Sequence, residues 1–133
     1  MSPRILNRAK RLAITLASNN PYKYKVAAVG LRGSAVVGVG MSSAKTHPVQ
    51  GELMKRYSSK PEEALPTLHA EVDCLIRSVN PPDTVIVART LKDGTLGISK
   101  PCIICEAALR DARVSKVIYL NEDKLWEEEN YGY

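Results

Sequence analysis

Two short stretches constrain what this chain can fold into more than anything else in it: His69 with Glu71, and Pro101 with Cys102 and Cys105. They lie far apart in sequence, and their chemistry makes sense only if the fold brings them to one point. Two cysteines in C-x-x-C spacing at the start of a helix aim both sulfurs the same way, and a catalytic zinc takes three protein ligands while keeping its fourth position for water. His69, Cys102 and Cys105 fill that count. Glu71 stands two residues past the histidine, near a helix start, where its carboxylate reaches the water position and carries a proton without binding the metal. Together these residues read as a complete hydrolytic site. His47, the other histidine, offers a fourth ligand and hence a closed, inert Cys2His2 site, but that arrangement leaves Glu71 without work.

The rest of the chain supplies a frame able to make the two stretches meet. Pro3 followed by Ile5, Leu6, Ala9, Leu12, Ala13 and Leu16 is an apolar stripe at helical spacing, ended by Ser18 to Pro21. Tyr24 to Met41, rich in valine with Gly33 and Ser34 in the middle, predicts two strands and a tight turn. Ser42 to Pro66 is expected to be an irregular insertion with a short helix around Leu53 to Tyr57. Thr67 is the predicted N-cap of a helix through His69, Val72, Leu75, Ile76 and Val79, stopped by Asn80 to Pro82. A strand at Thr84 to Ala88, a helix at Cys102 to Ala112 and a parallel strand at Lys116 to Leu120 follow, with a short amphipathic helix over Asp123 to Glu129. In this order two crossover helices lie on one face of the sheet and present their N-terminal turns side by side. One turn carries His69 and Glu71, the other the cysteines, and both helix dipoles favour thiolates and a bound hydroxide.

Length and composition remove several classes of function. With 133 residues the chain suits one domain, 1–133, with a real core. Hydrophobic residues make up 44% and charged residues 25%, so neither disorder nor membrane residence is suggested. The longest apolar runs, such as Val26 to Val29 and Val85 to Ala88, are far too short to cross a bilayer. No secretory pattern follows the basic stretch Met1 to Arg11, so the expected compartment is the cytoplasm. Three cysteines argue against a disulfide framework and leave the C-x-x-C pair to a metal; Cys74 reads as a buried structural thiol. The net charge of +5 gathers at Arg4, Arg8, Lys10, Arg11, Lys23 and Lys25, which suits a polyanion or a phosphorylated small molecule and equally a solvated helix face.

H-x-E with P-C-x-x-C is the pattern of the zinc deaminases that act on nucleobases. On this motif the chain resembles the cytidine and deoxycytidylate deaminase superfamily, from its first helix through its last strand. Cys102 to Tyr119, with Leu109 and the strand residues Val114, Val117, Ile118 and Tyr119, is more similar to the deoxycytidylate deaminase branch than to the tetrameric free-cytidine branch. That branch includes phage enzymes, tRNA adenosine deaminases and polynucleotide cytosine deaminases. The resemblance implies a three-layer α/β/α sandwich with a mixed sheet of four to five strands. It also implies one zinc on His69, Cys102 and Cys105, with Glu71 shuttling protons for a zinc-bound hydroxide that attacks the amino-bearing ring carbon. Many relatives carry Gly-x-Asn after the second strand, where the asparagine contacts the sugar; here Gly40 and Met41 are followed by Ser42. The cysteines and histidines that hold a second, structural zinc in some phage enzymes are absent from the sequence.

Substrate contacts are expected from Ser42, His47, Ala70, Arg89, Ser99 and Pro101. The leading reading is hydrolysis of deoxycytidylate to deoxyuridylate, a free cytosine nucleotide or nucleoside being the substrate class. An alternative is deamination of cytosine or adenine in single-stranded DNA or RNA, for which the basic N-terminal end is suited and Tyr22, Tyr24 and Tyr57 offer stacking surfaces. A third reading keeps the fold for binding or inhibition without turnover. The family's habit of assembly implies a homo-oligomer, and no membrane partner is expected.

Overall fold

The protein is seen here in a computed structural model that describes residues 2–58 and 67–132. The end of the expected Ser42 to Pro66 insertion thus lies outside the described residues. Nine elements follow in chain order: α1 (Pro3–Asn19), β1 (Lys25–Arg32), β2 (Ala35–Met41), α2 (Pro48–Tyr57), α3 (Ala70–Arg77), β3 (Thr84–Thr90), α4 (Ile103–Asp111), β4 (Lys116–Leu120) and β5 (Trp126–Asn130).

The sheet has five strands in the order β2-β1-β3-β4-β5. β1 is antiparallel to both β2 and β3, β3 and β4 are parallel, and β5 returns antiparallel to β4. β2, β3 and β4 therefore run one way. Helices that cross between parallel strands must run back, so α3 and α4 both begin at the C-terminal ends of these strands.

Strand alternation divides the core into two layers. Ala27, Val29, Leu31, Ile86, Ala88 and Ile118 face α1, while Ala28, Val85, Val87, Val117 and Tyr119 face α3 and α4. α1 lies close on its face because Ala9, Ala13 and Ala17, one turn apart, are its buried residues. Pro3 opens that helix, and Ser2 Oγ accepts the Ile5 N–H at 3.3 Å. The three-layer α/β/α sandwich expected from the sequence is the one observed.

Two expectations fail. Asp123 to Glu129 forms a turn and then β5, not a helix. Asn121 Oδ1 accepts the Asp123 and Leu125 N–H groups, Lys124 takes φ 61°, and the chain reverses to pair with the open edge of β4. Trp126 packs onto the α1 layer, and Lys116 reaches Glu128 at 3.6 Å. A helix would have left that edge unpaired. The insertion helix starts at Pro48 rather than near Leu53, because His47 Nδ1 accepts the Val49 N–H at 3.1 Å and proline suits the first helical position.

At the other edge α3 rests directly on β2. A Cβ on Gly40 would stand 2.2 Å from Cys74 N and 2.3 Å from Ala70 O, and one on Gly38 would stand 2.3 Å from Ser78 Oγ. At Gly40 helix backbone and strand backbone are in direct contact. Asp73 Oδ2 accepts the Met41 N–H at 3.0 Å and the Val79 N–H donates to Val37 O at 3.0 Å, so α3 and its exit also cover outward groups of the edge strand. Gly40→Ala is expected to destabilise the protein by more than about 3 kcal/mol, because only backbone can give way. Gly33→Ala, in open space at φ 60°, should cost only about 1–2 kcal/mol. Denaturant unfolding of both variants checks the contrast, and equal losses would contradict it.

Candidate active site

The chain enters α3 through a short pairing with the segment after β2. Thr67 bridges Thr46, the Leu68 N–H donates to Lys45 O at 2.9 Å, and the Ser43 N–H donates to Leu68 O at 3.1 Å. Thr67 is therefore not the helix cap expected from the sequence; its backbone is committed to this ladder, and His69 is the N-cap. α3 also stops at Arg77, with Val79 outside it and 82% exposed. Cys102 is the N-cap of α4. Neither cap side chain bonds its own helix, which leaves imidazole and thiol free to turn toward each other.

They do turn that way. His69 Nδ1 lies 3.2 Å from Cys105 Sγ and 3.6 Å from Cys102 Sγ, and the three donors all fall within 4.8 Å of one another. Tetrahedral zinc, with bonds of about 2.1 Å to nitrogen and 2.3 Å to sulfur, spaces its donors roughly 3.5–3.8 Å apart. The set fits such an ion with little adjustment. His47, capping α2, stands outside the group, so the closed Cys2His2 arrangement does not form. Glu71 is also outside it, buried at 6% exposure in the first turn of α3.

Charge in this cluster is shared unevenly. The Cys102 thiol is pulled down to about 4, first by its hydrogen bond to Cys105 and then by His69, while Cys105 is held well above the ordinary thiol range. The hydrogen bond to Cys102 raises His69. Burial pushes Glu71 up to about 6, with the neighbouring Cys102 adding to the rise. Such a carboxyl can hold and release a proton near neutrality. Cys74, by contrast, is raised to about 12 by burial and lies fully inside the core, as a structural thiol should.

His69, Glu71 and Cys102 line a cavity of about 480 Å³, with Cys105 buried beside them. Ser42, Ala70, Arg89 and Ser99, four of the six substrate contacts expected from the sequence, line it; Pro101 is buried behind Cys102 and is not among the lining residues, nor is His47. Ser42 has a largely structural part: its hydroxyl donates to Tyr24 O at 2.5 Å and accepts from Asn20 Nδ2 at 3.1 Å. Ser99 Oγ donates to Val87 O at 2.7 Å and accepts the Leu120 N–H at 2.8 Å, fixing the loop before the cysteines to the ends of β3 and β4.

Sequence reasoning missed two parts of the site. One is the wall made by Tyr22, Lys23 and Tyr24, with the two rings edge to face at 5.6 Å. The tyrosines stand out as stacking candidates, but nothing local places them at the metal donors. The other is Gln50 on α2. It is fully buried, its Oε1 accepts the His69 N–H at 3.1 Å, and its Nε2 has no partner among the described residues. α2 is also tied to α4 by the Tyr57 hydroxyl, which donates to Asp111, and Leu53 packs on the layer that holds Cys105 and Ala108.

Comparison with known proteins agrees with this geometry. No curated protein matches the chain in sequence. Among solved structures, the cytidine deaminase from Burkholderia pseudomallei superposes with a TM-score of 0.62 at 14% identity, over 99% of this chain and 94% of that one. RibD from Acinetobacter baumannii gives 0.50 at 22% identity, over 86% of this chain and 27% of that one. At these identities the likeness is one of fold. A family model described as MafB19-like deaminase matches residues 8–127. The chain belongs to the MafB19-like deaminase family.

Proposed function

We propose that the protein hydrolytically deaminates cytosine in a nucleotide or nucleoside, with deoxycytidylate as the leading substrate. The observation that carries this reading is the convergence of His69, Cys102 and Cys105 at a cavity, with a buried Glu71 beside them that is not one of the three donors. His69 Nδ1 and the two thiolates would hold zinc, which when bound supplies the Lewis acidity that makes water a nucleophile at neutral pH. Glu71 accepts the first proton of water and passes it to the ring nitrogen, then takes the second from the hydroxyl newly added to the ring carbon and delivers it to the amino group, which leaves as ammonia as the carbonyl forms. Val26, Leu68 and Ile98 give the cavity apolar walls for a planar ring, and its volume falls within the usual range for small-ligand sites.

A second reading, deamination of a base in single-stranded nucleic acid, is favoured by Tyr24. This ring is 52% exposed at the cavity wall, and Lys23 lies 5.2 Å above it. A stacking ring beside a cation suits a strand passing the mouth.

Ammonia release by zinc-loaded protein from cytidine, deoxycytidine, their monophosphates and single-stranded oligonucleotides tests both readings. Turnover of a monomer is expected; release from oligonucleotides alone would move the function to the second reading, and silence throughout would favour a binding role. Glu71→Ala is expected to keep one zinc per chain and lose at least about 100-fold in rate. A variant that still turns over would remove Glu71 from the chemistry.

Gln50→Ala should weaken zinc binding roughly 10- to 100-fold, because the backbone that presents His69 loses its anchor. Competition with a chromophoric chelator reads this directly, and unchanged affinity would show that α2 does not help hold the donors.

A further inference from the structure

We propose that Arg89, in a cavity that Lys23 and Lys100 also line, forms an anion site that selects substrates carrying a phosphate ester beside the target ring; this rests on the deaminase reading and specifies the substrate class within it. Along β3, Val85 and Val87 point into the layer beneath α3 and α4, and Arg89 is next in that row. Its partner across the sheet, Val26, also packs on that layer. At this place alternation calls for an apolar residue, yet the chain carries an arginine that is half-buried and lines the cavity.

Arg89 is held but not neutralised. Gly97 N–H donates to its carbonyl at 2.9 Å, and a Cβ on Gly97 would press on the arginine stem at 3.2 Å, so the stem lies along the bare glycine. Among the described residues no carboxylate or hydrogen-bond acceptor meets its guanidinium. An arginine that merely reached for solvent would lie along the surface; this one lines the cavity.

The cavity is electrically polarised as a result. Lys23, Arg89 and Lys100 line it, and among the described residues Glu71 is the only acidic lining residue. A phosphate is repelled from Glu71 and attracted to the cations, while a neutral pyrimidine suffers no such repulsion. The field therefore orients a nucleotide with its ring inward and its phosphate at the cations. Arginine matches phosphate oxygens in a two-pronged geometry that lysine lacks. A free monophosphate and a phosphodiester of a strand share this chemistry.

The test compares kcat/KM for deoxycytidine, deoxycytidylate and a cytosine-containing oligonucleotide in the zinc-loaded protein, together with inhibition by inorganic phosphate. Wild type is expected to prefer a phosphorylated substrate over deoxycytidine by at least roughly 10- to 100-fold. Arg89→Gln should shrink that ratio about tenfold or more and weaken inhibition by phosphate, and Arg89→Lys should recover part of both. Zinc content and thermal unfolding of each variant separate this from misfolding. Preference for deoxycytidylate identifies the free monophosphate as the source, and turnover of the oligonucleotide alone identifies the phosphodiester. Equal turnover of deoxycytidine and deoxycytidylate, with a ratio that Arg89→Gln leaves alone, would overturn the anion site and keep the deaminase. If no substrate releases ammonia, binding of inorganic phosphate and deoxycytidylate decides: Arg89-dependent binding would keep the anion site without the deaminase, and no binding would overturn both.

Discussion

The direct seat of α3 on β2 is the contact on which the site depends. Because Gly38 and Gly40 present bare backbone, the helix settles closely onto the strand, backbone against backbone at Gly40, and its first turn, with Ala70 and Glu71, comes down at the end of the sheet. The same contact lets Asp73 take the Met41 N–H and brings the Cys74 Sγ to 3.7 Å from Gly38 O. Edge protection, core packing and the height of Glu71 above the sheet are thus one arrangement. A side chain at Gly40 would lift all three together.

Parallel crossovers supply the second half of the geometry. Since β2, β3 and β4 run one way, the helices between them begin at one end of the sheet, and the donors His69 and Cys102 become N-caps of neighbouring helices. Positive helix ends then face two thiols and an imidazole, a setting that favours anionic sulfur. α2 adds a brace across them: Gln50 holds the entry to α3, and Tyr57 and Leu53 hold α4. Donors that must stay within a few ångströms of one another are in this way tied to three elements.

What was legible in the sequence was what is local. H-x-E and C-x-x-C act through spacing within a turn, and the continuous apolar runs Val26 to Val29 and Val85 to Ala88 mark strands buried on both faces without reference to the rest of the chain. β5 was not legible because Leu125 and Trp126 before a run of glutamates suit a short helix as well as a strand; the open edge of β4, a tertiary demand, decides for the strand. The start of α2 was hidden because His47, weighed as a ligand or substrate contact, acts as a cap. Gln50 carries no local signal, and Tyr22 and Tyr24 stand out as stacking rings without any sign that they wall this cavity, since both placements come from neighbours that the fold brings from elsewhere.

Ser42 shows how a departure from a family pattern can be absorbed. A hydroxyl has one proton to give and two lone pairs to accept with. Here the proton goes to Tyr24 O at 2.5 Å, and the lone pairs meet Asn20 Nδ2 at 3.1 Å and the Val26 N–H at 3.2 Å. Nothing remains for a ligand unless one of these bonds opens. Asn20 is itself only 2% exposed and is held by Ser42, Val26 and Tyr22, so it cannot stand in for the asparagine that relatives place near the sugar. The Ser42 end of the cavity is a fixed wall that shapes the site without polar capacity to spare. Polar recognition of whatever the ring is attached to therefore falls to the side chains still unsatisfied in the cavity lining, and Arg89 is the lining residue whose charge meets no partner among the described residues.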